Sequence, residues 1–257
     1  MDQDEYGLLS SPCSDIKARK IIGTKATGDR VLSDNEMFAL WRAAGRETYP
    51  YRQIYQLLAL NALRLNEVAD ASEPEFEFAK RDWIIPADRM KGKKGRARPH
   101  LVPLTDASLA ILGTLPTLKE GSYLFSCNFG KSPVWVNQKV KDRLDSRMLR
   151  TLKALARRRG HDPSKVVLEH WTNHDIRRTV RTNLSALKHS GGRRIPEGVK
   201  EAVIAHVRPG IKGVYDRYEY SDEKFEALEL WAARLQEIIN PAPRDLTSNV
   251  ISMRKVG

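Results

Sequence analysis

Apolar positions recur at two different periods along this chain. Met37, Leu40, Trp41 and Ala44 fall on one helical face. Ser33-Asp34-Asn35-Glu36 precedes them as a capping box, in which Ser33 and Glu36 satisfy the first free amides of a helix. Ile54, Leu57, Leu58 and Asn61 predict a second helix running into Arg64-Leu65-Asn66-Glu67. The period then shortens. Phe76-Glu77-Phe78-Ala79, Asp82-Trp83-Ile84-Ile85-Pro86 and His100-Leu101-Val102-Pro103-Leu104 predict short strands, and Pro86, Pro99 and Pro103, lacking amides, predict that they lie at a sheet edge. Helical spacing returns with Leu144, Met148, Leu152 and Leu155, stopped at Gly160. Ile176, Val180, Leu184 and Leu187 form the next stripe, ended by Ser190-Gly191-Gly192. Pro196 suits the first turn of a helix reaching about His206. Phe225, Leu228, Trp231, Ala232 and Leu235 mark a last amphipathic helix before Pro241 and Pro243.

This succession predicts one α+β domain, mostly helical with a small antiparallel sheet, over residues 31–240. Residues 1–30 mix charge, Gly, Ser and Pro without sustained periodicity and are expected to be a linker or arm. Residues 241–257 are expected to be a flexible tail. No internal repeat is visible.

Charge narrows the partners. Lys and Arg number 44 against 32 Asp and Glu, a net charge of +12 with a pI near 9.7. Such a balance favours a polyanion, foremost nucleic acid, over a basic surface that is merely solvated. Cys13 and Cys127, the two cysteines, give neither a disulfide framework nor a cysteine zinc site. The acidic start Met1-Asp2-Gln3-Asp4-Glu5 is unlike a signal peptide. No apolar run approaches the ~18 residues of a membrane span. A soluble protein of the cytoplasm, at the nucleoid, is expected.

Against that background a few side chains stand out. Arg64 and Glu67 lie one helical turn apart, either as a surface ion pair or as a guanidinium fixed to face a phosphate. Lys91 opens the basic stretch that continues through Lys93, Lys94, Arg96 and Arg98. That stretch suits a turn lying along a phosphate backbone, although charge-rich turns are often only solvated. His174 and Arg177 share the start of a helix, where free amides and the dipole favour an anion, and Arg178 and Arg181 extend its basic end. His170 and His174 have i, i+4 spacing, but no third metal ligand accompanies them, so a zinc site is not expected. His206 ends a helix, and Tyr215 follows the Gly-containing segment after it, with Tyr218 and Tyr220 close behind. A tyrosine can attack phosphorus if its proton is lost and fixed positive donors clamp the phosphoryl oxygens.

Taken in order, Leu63-Arg64-Leu65-Asn66-Glu67, Arg89-Met90-Lys91 with His100-Leu101-Val102-Pro103-Leu104, His174-Asp175-Ile176-Arg177, Ala205-His206-Val207 and Tyr215 resemble the tyrosine recombinase (phage-type integrase) family over about residues 30–240. Several segments are closest in wording to integrases of prophages and genomic islands. Ala62 departs from a glycine frequent in the family, and Arg217 from a histidine. The family's core-binding and arm-binding domains would not fit in residues 1–30, so a catalytic domain alone is expected.

The resemblance implies that Tyr215 attacks a scissile DNA phosphate, forming a 3′-phosphotyrosine and freeing a 5′-hydroxyl. Arg64, Arg177 and His206 would hold the nonbridging oxygens, with Glu67 in support. His174 would assist proton transfer and Lys91 would protonate the leaving oxygen. Neither ATP nor metal is implied. Double-stranded DNA at attachment sites is the implied partner, with protomers mostly monomeric when free and tetrameric in the active synapse. The stripe of Phe225, Leu228 and Trp231 would dock on a neighbouring protomer on DNA, and in a free protomer would fold back on its own domain or be mobile. A type IB topoisomerase-like nicking-closing enzyme shares this chemistry, and a non-catalytic basic DNA-binding protein is a rival of another class.

Overall fold

The computed structural model describes residues 29–91, 97–189, 191–206 and 220–241. Tyr215, Lys93, Lys94 and Arg96 lie outside the described residues, as do all but the last two residues of the expected arm and all but the first of the expected tail.

The expected capping box starts the first helix, α1 (Asp34–Ala44): Ser33 donates its backbone N–H to Glu36 at 2.9 Å, and Ser33 Oγ accepts the Glu36 N–H at 3.4 Å. α1 buries Met37, Ala39, Leu40, Ala43 and Ala44. α2 (Tyr51–Asn61) is buried along most of its length, Gln53 and Asn61 included, and forms the centre of the domain. α3 (Leu65–Ala69) follows after a sharp turn, and α4 (Asp106–Leu112) packs on α2 beyond the sheet. α5 (Gln138–Arg158) runs against α1 and buries Val140, Leu144 and Met148. α6 (Asn173–Ala186) and α7 (Glu197–Val203) pack on each other, and α8 (Ser221–Ile239) closes the core against β3, α1 and α7. The result is helix-rich α+β, as the hydrophobic periods predict.

Three strands, β1 (Phe76–Glu77), β2 (Asp82–Ile85) and β3 (His100–Pro103), form an antiparallel sheet in the order β1-β2-β3. Trp83 pairs with Val102 and Ile85 with His100. The edge assignment therefore holds for Pro103 in β3 but not for β2, which is central; Pro86 is tolerated because it falls just past the last residue of β2. β1 is shorter than expected. Phe78 and Ala79 are drawn into a turn in which Lys80 N–H reaches the Glu77 carbonyl at 2.9 Å.

Two further boundaries differ. α6 stops at Ala186, before Ser190-Gly191-Gly192, because Lys188 and Arg194 bridge across a tight turn in which Gly192 takes φ +78°. α7 ends at Val203 and leaves His206 beyond it.

The stripe on α8 folds back on its own domain, one of the two arrangements expected of a free protomer. Leu228 and Trp231 are buried within this chain, and Trp231 Nε1 donates to the Ala59 carbonyl of α2 at 2.7 Å. Lys224 Nζ donates to the Leu101 carbonyl of β3 at 2.6 Å. The apolar face of α8 covers the core of its own chain. Among the described residues no helix is long and apolar enough to cross a membrane.

Candidate active site

The end of α2 sets the first part of the site. Ala62 takes the left-handed conformation, φ 55° and ψ 29°, the geometry glycine tolerates best. That reversal turns the chain so that Arg64 sits immediately before α3. Its backbone N–H donates to Glu67 Oε2 at 2.7 Å, and its Nη1 donates to Glu67 Oε1. The sequence leaves open whether this is a surface pair. Glu67 is 3% exposed, so the carboxylate is held in the interior while Arg64 keeps a quarter of its side chain in solvent.

Arg177 arrives from α6 and is 2% exposed. Its Nη1 donates to the Ala62 carbonyl at 2.8 Å and lies 3.7 Å from Glu67 Oε2, while Nη2 donates to the Ile204 carbonyl beyond α7. One carboxylate thus faces two guanidiniums. Burial, then the neighbouring Arg64 charge, pushes the Arg177 pKa down to about 10, with Glu67 and Glu201 opposing the shift. Arg177 remains a cation at neutral pH.

His174 stands in the first turn of α6. Thr172 and Asp175 cap that turn, with the Thr172 N–H and Oγ1 both donating to Asp175 Oδ2 at 2.8 Å. Partial desolvation holds the His174 pKa below the usual imidazole range, and Arg178, Arg177 and Arg64 add to the effect against Asp175. The ring is neutral near pH 7 and can accept a proton. His206 is solvent-exposed, with Nδ1 2.9 Å from Glu201 Oε2.

Lys91 is exposed and follows a short 3-10 turn, Ala87–Arg89, on the connection from β2 to β3. Arg98, on the return of that connection, is exposed too. The other arginines expected to touch DNA are engaged by carboxylates of their own chain. Arg178 Nη1 donates to Asp175 at 2.6 Å. Arg181 Nε donates to Glu201 Oε1 at 2.9 Å, and Nη2 pairs with Glu197. Arg181 thereby ties α6 to α7.

Sequence reading missed a second basic surface. Lys139, Arg143, Arg150 and Arg157 are all exposed and recur on one face of α5, opposite buried Val140, Leu144 and Met148. The stripe runs about 27 Å, the rise of eighteen helical residues. Arg143 is held by Glu47 at 2.8 Å, but Lys139, Arg150 and Arg157 have no carboxylate partner among the described residues. Applying the helical period to charges as well as apolar positions would have found it. Lys141, on the same helix, stacks on Trp171 at 3.8 Å, next to the cap of α6.

Residues 30–189, more than half of the chain, match the Phage integrase family. The chain belongs to that family. Among curated relatives it is 30% identical to the prophage integrase IntA of Escherichia coli (strain K12) over 181 residues, covering 70% of this chain and 37% of that one. It is 25% identical to an integrase of Shigella phage Sf6 over 185 residues, covering 71% of this chain and 41% of the other. This phage integrase family chain therefore spans well under half the length of the relatives it matches.

Solved structures similar to it include XerA recombinase, with TM-score 0.45 and 15% identity over 82% of this chain and 66% of that one. The Tn1549 transposon integrase in complex with circular intermediate DNA has TM-score 0.46 and 13% identity, covering 76% of this chain and 64% of the other.

Proposed function

We propose that this chain is a site-specific DNA recombinase that cleaves and rejoins strands through a covalent 3′-phosphotyrosine on Tyr215. The observation that carries the reading is the Glu67 carboxylate facing Arg64 and Arg177. It fixes two cations from distant parts of the chain beside a helix start that presents His174. Paired guanidiniums at fixed positions stabilise the charge that develops on a pentacoordinate phosphorus, and they need no reorganisation at the moment of reaction.

In this mechanism Arg64, Arg177 and His206 hold the nonbridging oxygens and Glu67 keeps the arginines in place. His174, neutral at working pH, takes part in moving the tyrosine proton. Lys91 gives a proton to the departing 5′ oxygen. The P–O bond to that oxygen breaks as the P–O bond to Tyr215 forms, so the phosphodiester linkage is conserved without a nucleotide or metal. Attack on the phosphotyrosine by another 5′-hydroxyl rejoins the strand and frees the tyrosine.

Double-stranded DNA is the substrate, with Arg98, the Lys93-Lys94-Arg96 stretch and the α5 stripe contributing phosphate contacts. Residues 31–240 are the catalytic domain, flanked by an arm and a tail. The relatives named as prophage integrases suggest integration or excision of a prophage or genomic island, by protomers that are monomeric when free and tetrameric on paired sites. Family membership, rather than α8, supports recombination over simple relaxation of supercoils, since the apolar face of α8 is already covered.

The test is a suicide DNA substrate bearing a candidate attachment site. A covalent adduct in the wild type that is lost in Tyr215→Phe, with noncovalent binding retained, supports the reading. Adduct formation by Tyr215→Phe moves the nucleophile elsewhere, with Tyr218→Phe and Tyr220→Phe as the next variants. Absence of adduct in the wild type leaves a DNA-binding protein without this chemistry.

A further inference from the structure

Arg89 lies two residues before Lys91, and nothing in the reaction scheme uses it. Its side chain is 19% exposed, and its guanidinium is committed on both arms. Nη1 donates to both oxygens of Glu75. Nη2 donates to the carbonyls of Asn66 at 3.0 Å and Glu67 at 2.8 Å. Glu75 is 7% exposed and is itself fixed, accepting from Trp83 Nε1 at 2.9 Å and from Ser72 Oγ at 3.1 Å. The segment carrying Lys91 is therefore fastened to α3, the helix that holds Glu67 and follows Arg64.

We infer that Arg89 is a positioning residue, holding Lys91 at a set place relative to the Arg64–Glu67–Arg177 cluster. The inference rests on the proposed role of Lys91 as general acid. Lys91 is exposed and has a long, flexible stem, so its own side chain does not fix where its ammonium is delivered. A general acid acts only within hydrogen-bond reach of the leaving oxygen. The backbone must therefore be placed by something else, and the planar fork of Arg89 spans a carboxylate and two carbonyls at once. A lysine there could not reproduce it, because an ammonium is a point charge rather than a fork. His100 holds the other end of the connection. It pairs with Ile85 at the base of β2 and β3, is 5% exposed, and lies against the Val203 backbone near Arg177.

The experiment compares two DNA substrates, one with the ordinary 5′ oxygen leaving group and one with sulfur in its place, which departs without a proton. Wild type, Arg89→Lys, Lys91→Ala and the double variant are assayed for covalent adduct, with melting curves to establish folding. Arg89→Lys is expected to cleave the oxygen substrate about ten- to a hundredfold more slowly, the scale of a misplaced catalytic group. On the sulfur substrate it should be within about threefold of wild type, because the group it places is no longer needed. The double variant should be no slower than Lys91→Ala alone. If Arg89→Lys does not fold, Glu75→Gln loosens the same grip from the other side and should give the same pattern.

A variant equally slow on both substrates, unchanged on both, or fully additive with Lys91→Ala overturns the inference. Failure of sulfur to rescue Lys91→Ala itself removes the general-acid role and this inference with it. Absence of any wild-type adduct on either substrate overturns the functional reading as a whole, which is a different result from loss of the Arg89 effect alone.

Discussion

Arg177 Nη1 donates to the carbonyl of Ala62 across 2.8 Å, joining residues 115 apart in sequence. The bond ties α6 to the left-handed turn that launches Arg64. Because the same guanidinium also reaches the Ile204 carbonyl, two positions before His206, it fixes three segments of the candidate site at once. Arg177 thus has a structural duty in addition to any phosphate contact. Replacing it should cost stability as well as activity, and the two must be measured separately.

Glu67 offers the cleaner separation. In Glu67→Gln the two guanidiniums lose the negative charge between them but keep an oxygen acceptor of nearly the same shape. Arg64 is partly solvated, which screens the loss, so a destabilisation of roughly 1–3 kcal/mol is expected in urea unfolding. Adduct formation should fall by about a hundredfold, because the arginines are no longer held where charge develops. A stability loss of this size with unchanged cleavage would make Glu67 a purely structural anchor.

His100 gives a prediction about pH. Burial, followed by the nearby Lys224 and Arg177 charges, pushes its pKa down to about 3 from an ordinary 6.5, against a hydrogen bond with the Val203 backbone. The folded state therefore binds fewer protons here than the unfolded chain between pH 6.5 and 3. The stability that the neutral ring allows is fully present above pH 6.5. It is lost as pH falls toward 3, at about 1.4 kcal/mol per pH unit within that window. His100→Leu should flatten this part of the stability profile. Its buried Nε2 has no hydrogen-bond partner, but the ring also bonds the Val203 backbone, so leucine should cost about 1–3 kcal/mol at pH 7.5. An equally steep acid limb in His100→Leu would assign the effect to other groups.

The α5 stripe should appear in the salt dependence of DNA binding. Replacing Lys139, Arg150 and Arg157 with alanine should reduce the slope of log K against log salt by about 0.9 for each phosphate that is no longer neutralised. The change should be the same on any duplex sequence, since phosphates carry no base information. An unchanged slope would place the stripe away from DNA.

These cases mark where sequence legibility ends. The Ser33 box, the α5 apolar stripe and the order of the charged motifs are readable because each depends on neighbours a few residues away. The family resemblance adds which distant residues belong together. How they are held cannot be read in the same way. The carbonyls of Ala62 and Ile204 and the grip of Arg89 on Asn66 and Glu67 are backbone acceptors, and every sequence contains those at every position. Ala62 shows the difference. Its departure from glycine is visible as a letter, but the left-handed φ of 55° that explains the preference needs the fold. The α8 stripe reads as a face needing cover, which it is; periodicity identifies such a face without saying what covers it.

Trp231 is where that ambiguity can be settled by experiment. Its ring is fully buried and its Nε1 donates to the Ala59 carbonyl on α2, so truncation leaves both a cavity and an unpaired buried acceptor. Trp231→Ala should cost about 3–5 kcal/mol in stability, the range for a large buried aromatic. If the side chain serves this core alone, the variant that remains folded at low temperature should bind single and paired half-sites with equal proportional losses. Exchange of α8 between protomers would require its whole apolar face, Leu228 and Leu235 included, to leave this core and be replaced in kind. A deficit much larger on paired half-sites than on single ones would show that Trp231 changes partners when protomers assemble. Equal losses would leave it in the core and require any contact between protomers to be made by other surfaces.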